Sequence, residues 1–274
     1  MSNLNLLAEF VREQSPICVF TGAGCSTPSG IYDYRNEEGQ WKRPEPVFLQ
    51  DFLTKSRSRR QYWARSMLGF PRFLQAQPNP AHHALAELEE RGYMSNLITQ
   101  NVDKLHEVAG QQKLVKLHGS LATVTCLTCG HQISREKIQA SLERENQYFL
   151  EHSEQMVDGG EARYTVPIDE TFSIPACDAR GGIIKPDVVF FGDSVPEEVK
   201  QSVRHSVRAS SGVLLLGTTA QVYSCYRHVR EADQLGLPIA AINVGKTRAD
   251  DLLQIKLEQA VEKILPRLLD ALSS

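Results

Sequence analysis

The chain has 274 residues, 41% of them hydrophobic and 23% charged, with a formal net charge of −3. Those values describe a globular protein with room for one large domain, or for one domain carrying a smaller module. They give no basic footprint for nucleic acid, and no apolar run approaches the roughly 20 residues of a membrane span.

Taken in chain order, the opening MSNLNLLAEFVREQ lacks the basic start and apolar stretch of a signal peptide. Its Glu9 and Glu13 argue against a transit peptide, so it reads as an amphipathic first helix of a cytoplasmic protein. The apolar run Ile17, Cys18, Val19 and Phe20 predicts a buried parallel strand. Gly22, Ala23, Gly24, Cys25, Ser26 and Thr27 follow. Small residues there let a backbone come close to a phosphate, and Ser26 or Thr27 is placed to cap a helix whose free N–H groups attract anions. A bare G-x-G is more often only a tight turn. Two details favour a ligand. Asp33, Tyr34 and Arg35 form a charged, aromatic cluster with no core role. The third glycine of the dinucleotide fingerprint is replaced by Thr27, and no acid-ended strand follows about twenty residues on, which points to an unusual use of a nucleotide.

Asn36 to Pro80 is broken by Pro44, Pro46, Pro71, Pro78 and Pro80. It predicts short helices and loops, a helical lid over the first loop. Within it, Tyr62 and Arg65 read as lid packing with a solvated charge, or as partners of an acidic substrate tail. Ala81, Leu85 and Leu88 recur at helical spacing before Gly92. A strand over Asn96–Thr99 then delivers Gln100, Asn101 and Asp103. These residues serve either to cap the next helix or to recognise an amide such as nicotinamide by donor and acceptor matching. The run Lys113–Leu117 delivers His118 to the same rim, where a neutral imidazole suits a general base. His82, His83 and His106 have no such setting and read as surface or helix residues.

Leu121 to about Pro186 breaks the rhythm and reads as an inserted module. Cys126-x-x-Cys129 is half of a zinc ribbon, and Cys177 adds a third thiol. Arg180, three residues on, stays protonated and cannot ligate, so either Asp178 or His131 supplies a fourth ligand or the site is weak or empty. With Cys18, Cys25 and Cys225, the cysteines suggest metal binding and buried thiols rather than disulfides. Strands resume at Asp187–Phe191, at Val213–Leu216 before Gly217, Thr218 and Thr219, and at Ile239–Val244 before Gly245. A last helix is expected from about Arg248, with Thr247 as N-cap and Asp250 completing a capping box. Leu253, Leu257, Val261, Ile264, Leu268 and Leu272 mark its buried face. This alternation indicates an α/β fold, a doubly wound parallel sheet with ligands at the carboxyl ends of its strands.

Together the motifs TGAGCSTPSGI-DYR, TQNVDKLHEVAG, LHGS, CLTCG, KPDVVFFGD, GTTAQVYS and INVG resemble the sirtuin family of NAD-dependent protein deacylases. YWAR and NVGKTRADDL are similar to its class II, sirtuin-four-like branch. The resemblance runs nearly end to end. It implies a Rossmann-like NAD-binding domain over 1–120 and 187–274, with the lid at 36–80 and a zinc-ribbon-like module over 121–186. It implies that Gly22, Ala23, Gly24, Ser26 and Thr27 cradle the pyrophosphate and that Asp33, Tyr34 and Arg35 cover the nicotinamide ribose. Gln100, Asn101 and Asp103 would hold ribose and carboxamide, and Gly217, Thr218, Thr219, Asn243, Gly245 and Val261 would line the adenosine side. His118 would be the catalytic base, with Asn101 beside it. Val188, Val189, Phe190 and Gly192 would bind the acyl-lysine peptide as an added strand between domains, with Tyr62 and Arg65 at its acyl chain. NAD would be consumed as a co-substrate, and Zn2+ would be structural through Cys126, Cys129 and Cys177. The partners implied are acyl-lysine proteins, with no nucleic acid or membrane, for a bacterial-type monomer. Mono-ADP-ribosyl transfer and non-catalytic NAD sensing are the alternatives. Three positions depart from the family: Tyr32 stands for a proline, Thr219 and Ala220 for Ser-Leu, and Arg180 for the fourth cysteine.

Overall fold

The computed structural model describes residues 3–33, 46–153, 168 and 170–273. In chain order the strands are β1 (Ile17–Thr21), β2 (Met94–Thr99), β3 (Leu114–Lys116), β4 (Gly119–Cys126), β5 (Gln132–Ser134), β6 (Ile184–Val188), β7 (Val213–Leu216), β8 (Ile239–Ile242) and β9 (Ile255–Leu257). The helices are α1 (Asn3–Glu13), α2 (Leu49–Thr54), α3 (Ser56–Gln75), α4 (Pro80–Glu90), α5 (Leu105–Val108), α6 (Arg135–Glu145), α7 (Gln147–His152), α8 (Glu197–Arg208), α9 (Tyr223–Gln234) and α10 (Val261–Ser273).

The chain divides into two compact units. The first takes in residues 1–42, 76–118 and 195–274. Its six-stranded sheet runs β3-β2-β1-β7-β8-β9, with every neighbouring pair parallel. β7 is apolar throughout and β1 is apolar as far as Thr21, and both are fully buried, as central strands covered on both faces must be. Leu7, Phe10, Leu85, Leu88, Leu265 and Leu268 from α1, α4 and α10 build one shared core with the sheet. Val203, Val207, Val229 and Ala232 bury the apolar faces of α8 and α9. The doubly wound parallel sheet expected from the alternating pattern is therefore present.

The second unit comprises residues 43–75 and 119–194. It holds the three-stranded antiparallel sheet β5-β4-β6, packed with α2, α3 and α6 around Phe52, Trp63, Met67, Ile138 and Phe190. Residues 46–75, read from the sequence as a lid on the NAD-binding domain, cluster here with the small sheet.

Three elements differ from the sequence expectation. The run Asp187–Phe191 does not rejoin the parallel sheet. The strand is Ile184–Val188 and it pairs antiparallel with β4. A short apolar run carries no information about which sheet it joins. The last helix begins at Val261 rather than near Arg248. Thr247 and Asp250 do bond, Oγ1 to Oδ1 at 2.6 Å, but they close a turn that leads into a 3-10 segment and β9. Pro71 does not end a helix. It lies inside the 20-residue α3, where its missing N–H would have bonded the Met67 carbonyl. Gln139 Nε2 donates to that carbonyl at 2.7 Å, so the group is satisfied by α6 instead.

Candidate active site

The site is built at the carboxyl ends of β1, β2, β3 and β7, where polar residues meet. Gly22 and Gly24 leave β1 alongside the end of β7. A Cβ on Gly24 would lie 2.9 Å from the Gly217 Cα, and one on Gly217 would lie 2.6 Å from the Cys25 nitrogen. Only glycine permits two loops to meet backbone to backbone this way. Among the described residues no α-helix directly follows β1. Ala23–Cys25 and Thr27–Ser29 are 3-10 turns, and Ser26 caps neither of them with its side chain. The helix N-terminus expected after Ser26 is thus replaced by a loop.

The Ser26 hydroxyl is used elsewhere. It donates to Asp103 Oδ2 at 2.9 Å and accepts from Asn101 Nδ2 at 3.0 Å. Asn101 Nδ2 also donates to the Gly22 carbonyl at 3.0 Å, tying the end of β2 to the glycine loop. Asp103 Oδ1 accepts from the Leu105 N–H at 3.0 Å, so the carboxylate ties the first residue of α5 to the loop it also holds through Ser26. Burial raises the Asp103 pKa, while the bonds from Leu105 and Ser26 oppose that rise. Gln100 Nε2 donates to Thr218 Oγ1 at 2.8 Å, which joins β2 to the β7 loop. Thr219 accepts from the Arg248 N–H through its carbonyl at 2.8 Å, and Asn243 Nδ2 donates to the Val244 carbonyl at 2.8 Å. Gly245 is buried beside it. Val261, by contrast, buries its side chain in the core at the start of α10. Thr27 is exposed, its hydroxyl bonding back to the Gly24 carbonyl at 3.1 Å. Tyr34 and Arg35 lie outside the described residues.

His118 follows β3. Its Nδ1 is 3.1 Å from the Gln100 carbonyl and its Nε2 is 2.8 Å from Ser224 Oγ. A carbonyl can only accept, so Nδ1 carries the proton and the neutral ring presents an Nε2 lone pair to the Ser224 hydroxyl. Burial lowers the His118 pKa, partly offset by the bond to Gln100, and this keeps the ring neutral. Ser224 was not legible as a site residue. Near the start of α9 a serine reads as a helix cap, and only the fold brings it to His118.

His82 and His106 lie on helices, α4 and α5, as one of the two sequence readings has it, but both are buried. Their ring centroids lie 4.7 Å apart with the planes tilted by 55°, and His106 Nε2 sits 3.1 Å from Thr21 Oγ1 beneath the site. Desolvation lowers their pKa values to about 4 and about 3. Cys25 is packing: it is buried, its thiol faces the Leu216 carbonyl, and burial pushes its pKa far up.

A model of the Sir2 family matches residues 22–224, a span that takes in the glycine loop, Asn101, Asp103, His118 and Ser224. The chain belongs to the Sir2 family. An NAD-dependent protein deacetylase of Xanthomonas campestris is 47% identical over 94% of this chain and 88% of its own. NAD-dependent protein deacetylase 2 of Bradyrhizobium diazoefficiens is 46% identical over 98% of this chain and all of its own. The NAD-dependent protein deacylase Sirt4 of Drosophila melanogaster is 39% identical over 98% of this chain and 87% of its own. A solved Sir2 complex with a p53 peptide and NAD+ superposes with a TM-score of 0.77, at 27% identity over 97% of this chain and 96% of that one.

Other residues singled out in the sequence fall in the second unit. The Sγ atoms of Cys126, Cys129 and Cys177 lie within 4.8 Å of one another, a donor set that fits three corners of a zinc tetrahedron. Among the described residues neither Asp178 nor His131 joins them, and Asp178 pairs with Lys137 Nζ at 3.3 Å. Val188 ends β6, which is an edge strand of the small sheet. Val189 and Phe190 follow, and Gly192 is exposed with φ +78°. Tyr62 packs its ring against Phe52, Trp63 and Phe190, whereas Arg65 is exposed on the same helix.

Proposed function

We propose that this Sir2-family chain is an NAD-dependent protein lysine deacylase in which His118 is the general base. The carrying observation is the neutral imidazole fixed by the Gln100 carbonyl, with its Nε2 lone pair free of a proton, at the rim where the glycine loop, Asn101 and Asp103 converge. NAD is a substrate here. Nicotinamide leaves as the acyl-lysine carbonyl oxygen attacks the anomeric carbon. His118 then takes the proton of a ribose hydroxyl, which attacks the resulting alkylimidate. Water then attacks the cyclic adduct and expels the lysine amine, so acyl-lysine, NAD and water give lysine, nicotinamide and an O-acyl-ADP-ribose. Much of the rate derives from holding the two reacting centres in line.

In this reading Gly22, Ala23, Gly24, Ser26 and Thr27 take the pyrophosphate, and Gln100, Asn101 and Asp103 take the ribose and carboxamide. Gly217, Thr218, Thr219, Asn243 and Gly245 line the adenosine. Val188, Val189 and Phe190 receive the peptide by strand addition, supported by the edge position of β6. Tyr62 and Arg65 meet the acyl chain, the exposed guanidinium suiting a carboxylate end. Zinc on the three thiols would cross-link the small unit and supply no catalytic step. No described helix is long and apolar enough to cross a membrane, and the bacterial relatives support a cytoplasmic setting.

The test is incubation with NAD and a panel of acetyl-, long-chain- and dicarboxylyl-lysine peptides, with products resolved by mass spectrometry. O-acyl-ADP-ribose in step with deacylated peptide is the expected result. ADP-ribose attached to protein, without deacylation, would instead identify a mono-ADP-ribosyltransferase.

A further inference from the structure

The three thiols sit on two backbone turns of the same build. In the first, Cys-Leu-Thr-Cys-Gly, the Gly130 N–H donates to the Cys126 carbonyl at 2.9 Å and Gly130 has φ +72°. In the second, Cys-Asp-Ala-Arg-Gly, the Gly181 N–H donates to the Cys177 carbonyl at 2.7 Å and Gly181 has φ +63°. Each opening cysteine also donates its own N–H just past its turn, Cys126 to His131 at 2.9 Å and Cys177 to Gly182 at 3.0 Å. The turns are therefore equivalent position by position, and Arg180 stands in the second where Cys129 stands in the first.

The spacing of the sulfurs fits a tetrahedral thiolate site with one corner missing. Zn–S bonds of about 2.3 Å at tetrahedral angles put sulfurs about 3.8 Å apart. Cys129 and Cys177 are 3.8 Å apart, and all three sulfurs lie within 4.8 Å. One side is closed by backbone, since a Cβ on Gly182 would come within 2.9 Å of Cys126 Sγ. The missing corner is the one residue 180 would fill. A guanidinium donates hydrogen bonds and holds its charge, so it cannot ligate. Asp178, the nearest acid in sequence, is turned to Lys137 and is largely exposed.

We propose that this is a three-thiolate zinc site whose fourth corner is open to a ligand from solution, and that the class it takes is a small thiol. A thiol matches the soft donors already present, and Arg180 stands in sequence at that corner. On binding, the thiol gives its proton to solvent and its sulfur displaces the solvent molecule at that corner. Most structural zinc sites are closed by four protein ligands, whereas an open position is the pattern of catalytic ones. Here, among the described residues, an open donor set occupies a structural place, so the metal exchanges where a closed site would hold it.

The test uses the full chain, stripped of metal, loaded with Co2+ alone without added thiol, and read by absorption. One cobalt per chain is expected, with tetrahedral visible bands. Addition of 2-mercaptoethanol should raise the sulfur-to-metal charge-transfer intensity by about the ratio of four thiolates to three. Arg180→Cys should show the higher intensity at the outset, ignore added thiol, and give up metal to a chelator at least about tenfold more slowly. Arg180→Ser, which leaves the corner open, should respond to thiol as the parent does and covers the case of a misfolded cysteine variant. A parent spectrum indifferent to thiol would mean that another group of the chain closes the site. Failure of the parent to bind cobalt would mean that three thiols do not make a metal site here. Either result overturns the proposal.

Discussion

At the scale of single residues, burial and one backbone carbonyl together keep the His118 ring neutral, the state that the proposed general base requires. Burial lowers its pKa, and the Gln100 carbonyl selects the tautomer that leaves Nε2 unprotonated. Ser224 Oγ occupies that nitrogen at 2.8 Å and aims the ring. Its contact with the imidazole makes it a positioning residue. A neutral hydrogen bond is worth about 0.5–1.5 kcal/mol, so Ser224→Ala should lower kcat roughly two- to tenfold. The KM for the peptide should be unchanged, as steady-state kinetics would show. An unaltered kcat would mean that the ring is held by Gln100 alone. The same scale explains what could be read in advance. Gln100, Asn101, Asp103 and His118 were legible because polar residues directly after apolar strands must point out of the sheet's end. Ser224 was not, because a serine near a helix start has a commoner use.

At the scale of elements, α3 depends on a partner that its own sequence does not reveal. Pro71 deprives the Met67 carbonyl of its helical donor, and Gln139 of α6 supplies the replacement at 2.7 Å. Gln139→Leu should leave a buried carbonyl unpaired and cost about 1–3 kcal/mol in urea unfolding. Pro71→Ala restores the N–H, so the double variant should lose much less than the two single changes added together. Strict additivity would show that Gln139 acts by packing only. Local rules put a helix end at Pro71 because they cannot see a side chain from 68 residues away in the sequence. The same blindness explains β6, whose apolar run was legible as a strand but not as a member of the antiparallel sheet. It also explains Thr247–Asp250, where a real capping-type bond closes a turn ahead of β9 instead of starting a helix. The parallel sheet itself was legible because its strand-and-helix alternation repeats over most of the chain.

At the scale of the whole molecule, the buried histidines link stability to pH. His82 and His106 have folded pKa values of about 4 and about 3, below the ordinary 6.5. As pH falls below about 6.5 the unfolded chain takes up protons that the folded chain refuses. Their contribution is thus fully present above about pH 6.5 and is lost as pH falls toward 4. Each fully unbalanced histidine adds a slope of about 1.4 kcal/mol per pH unit. The melting temperature should fall between pH 7 and pH 5, and His106→Gln should flatten that fall. A slope unchanged in the variant would place the protons elsewhere. In the proposed function, catalysis is the other property of the whole chain, since deacylation would need NAD and acyl-lysine bound together. The most direct measurement compares nicotinamide release by the parent and by His118→Ala, with NAD and an acyl-lysine peptide the parent turns over. A general base contributes about 10²–10⁴-fold, so release of nicotinamide coupled to deacylation should drop by at least about 100-fold while the variant keeps the parent's fold. Deacylation at the parent rate by His118→Ala would contradict the assignment of His118 as the base.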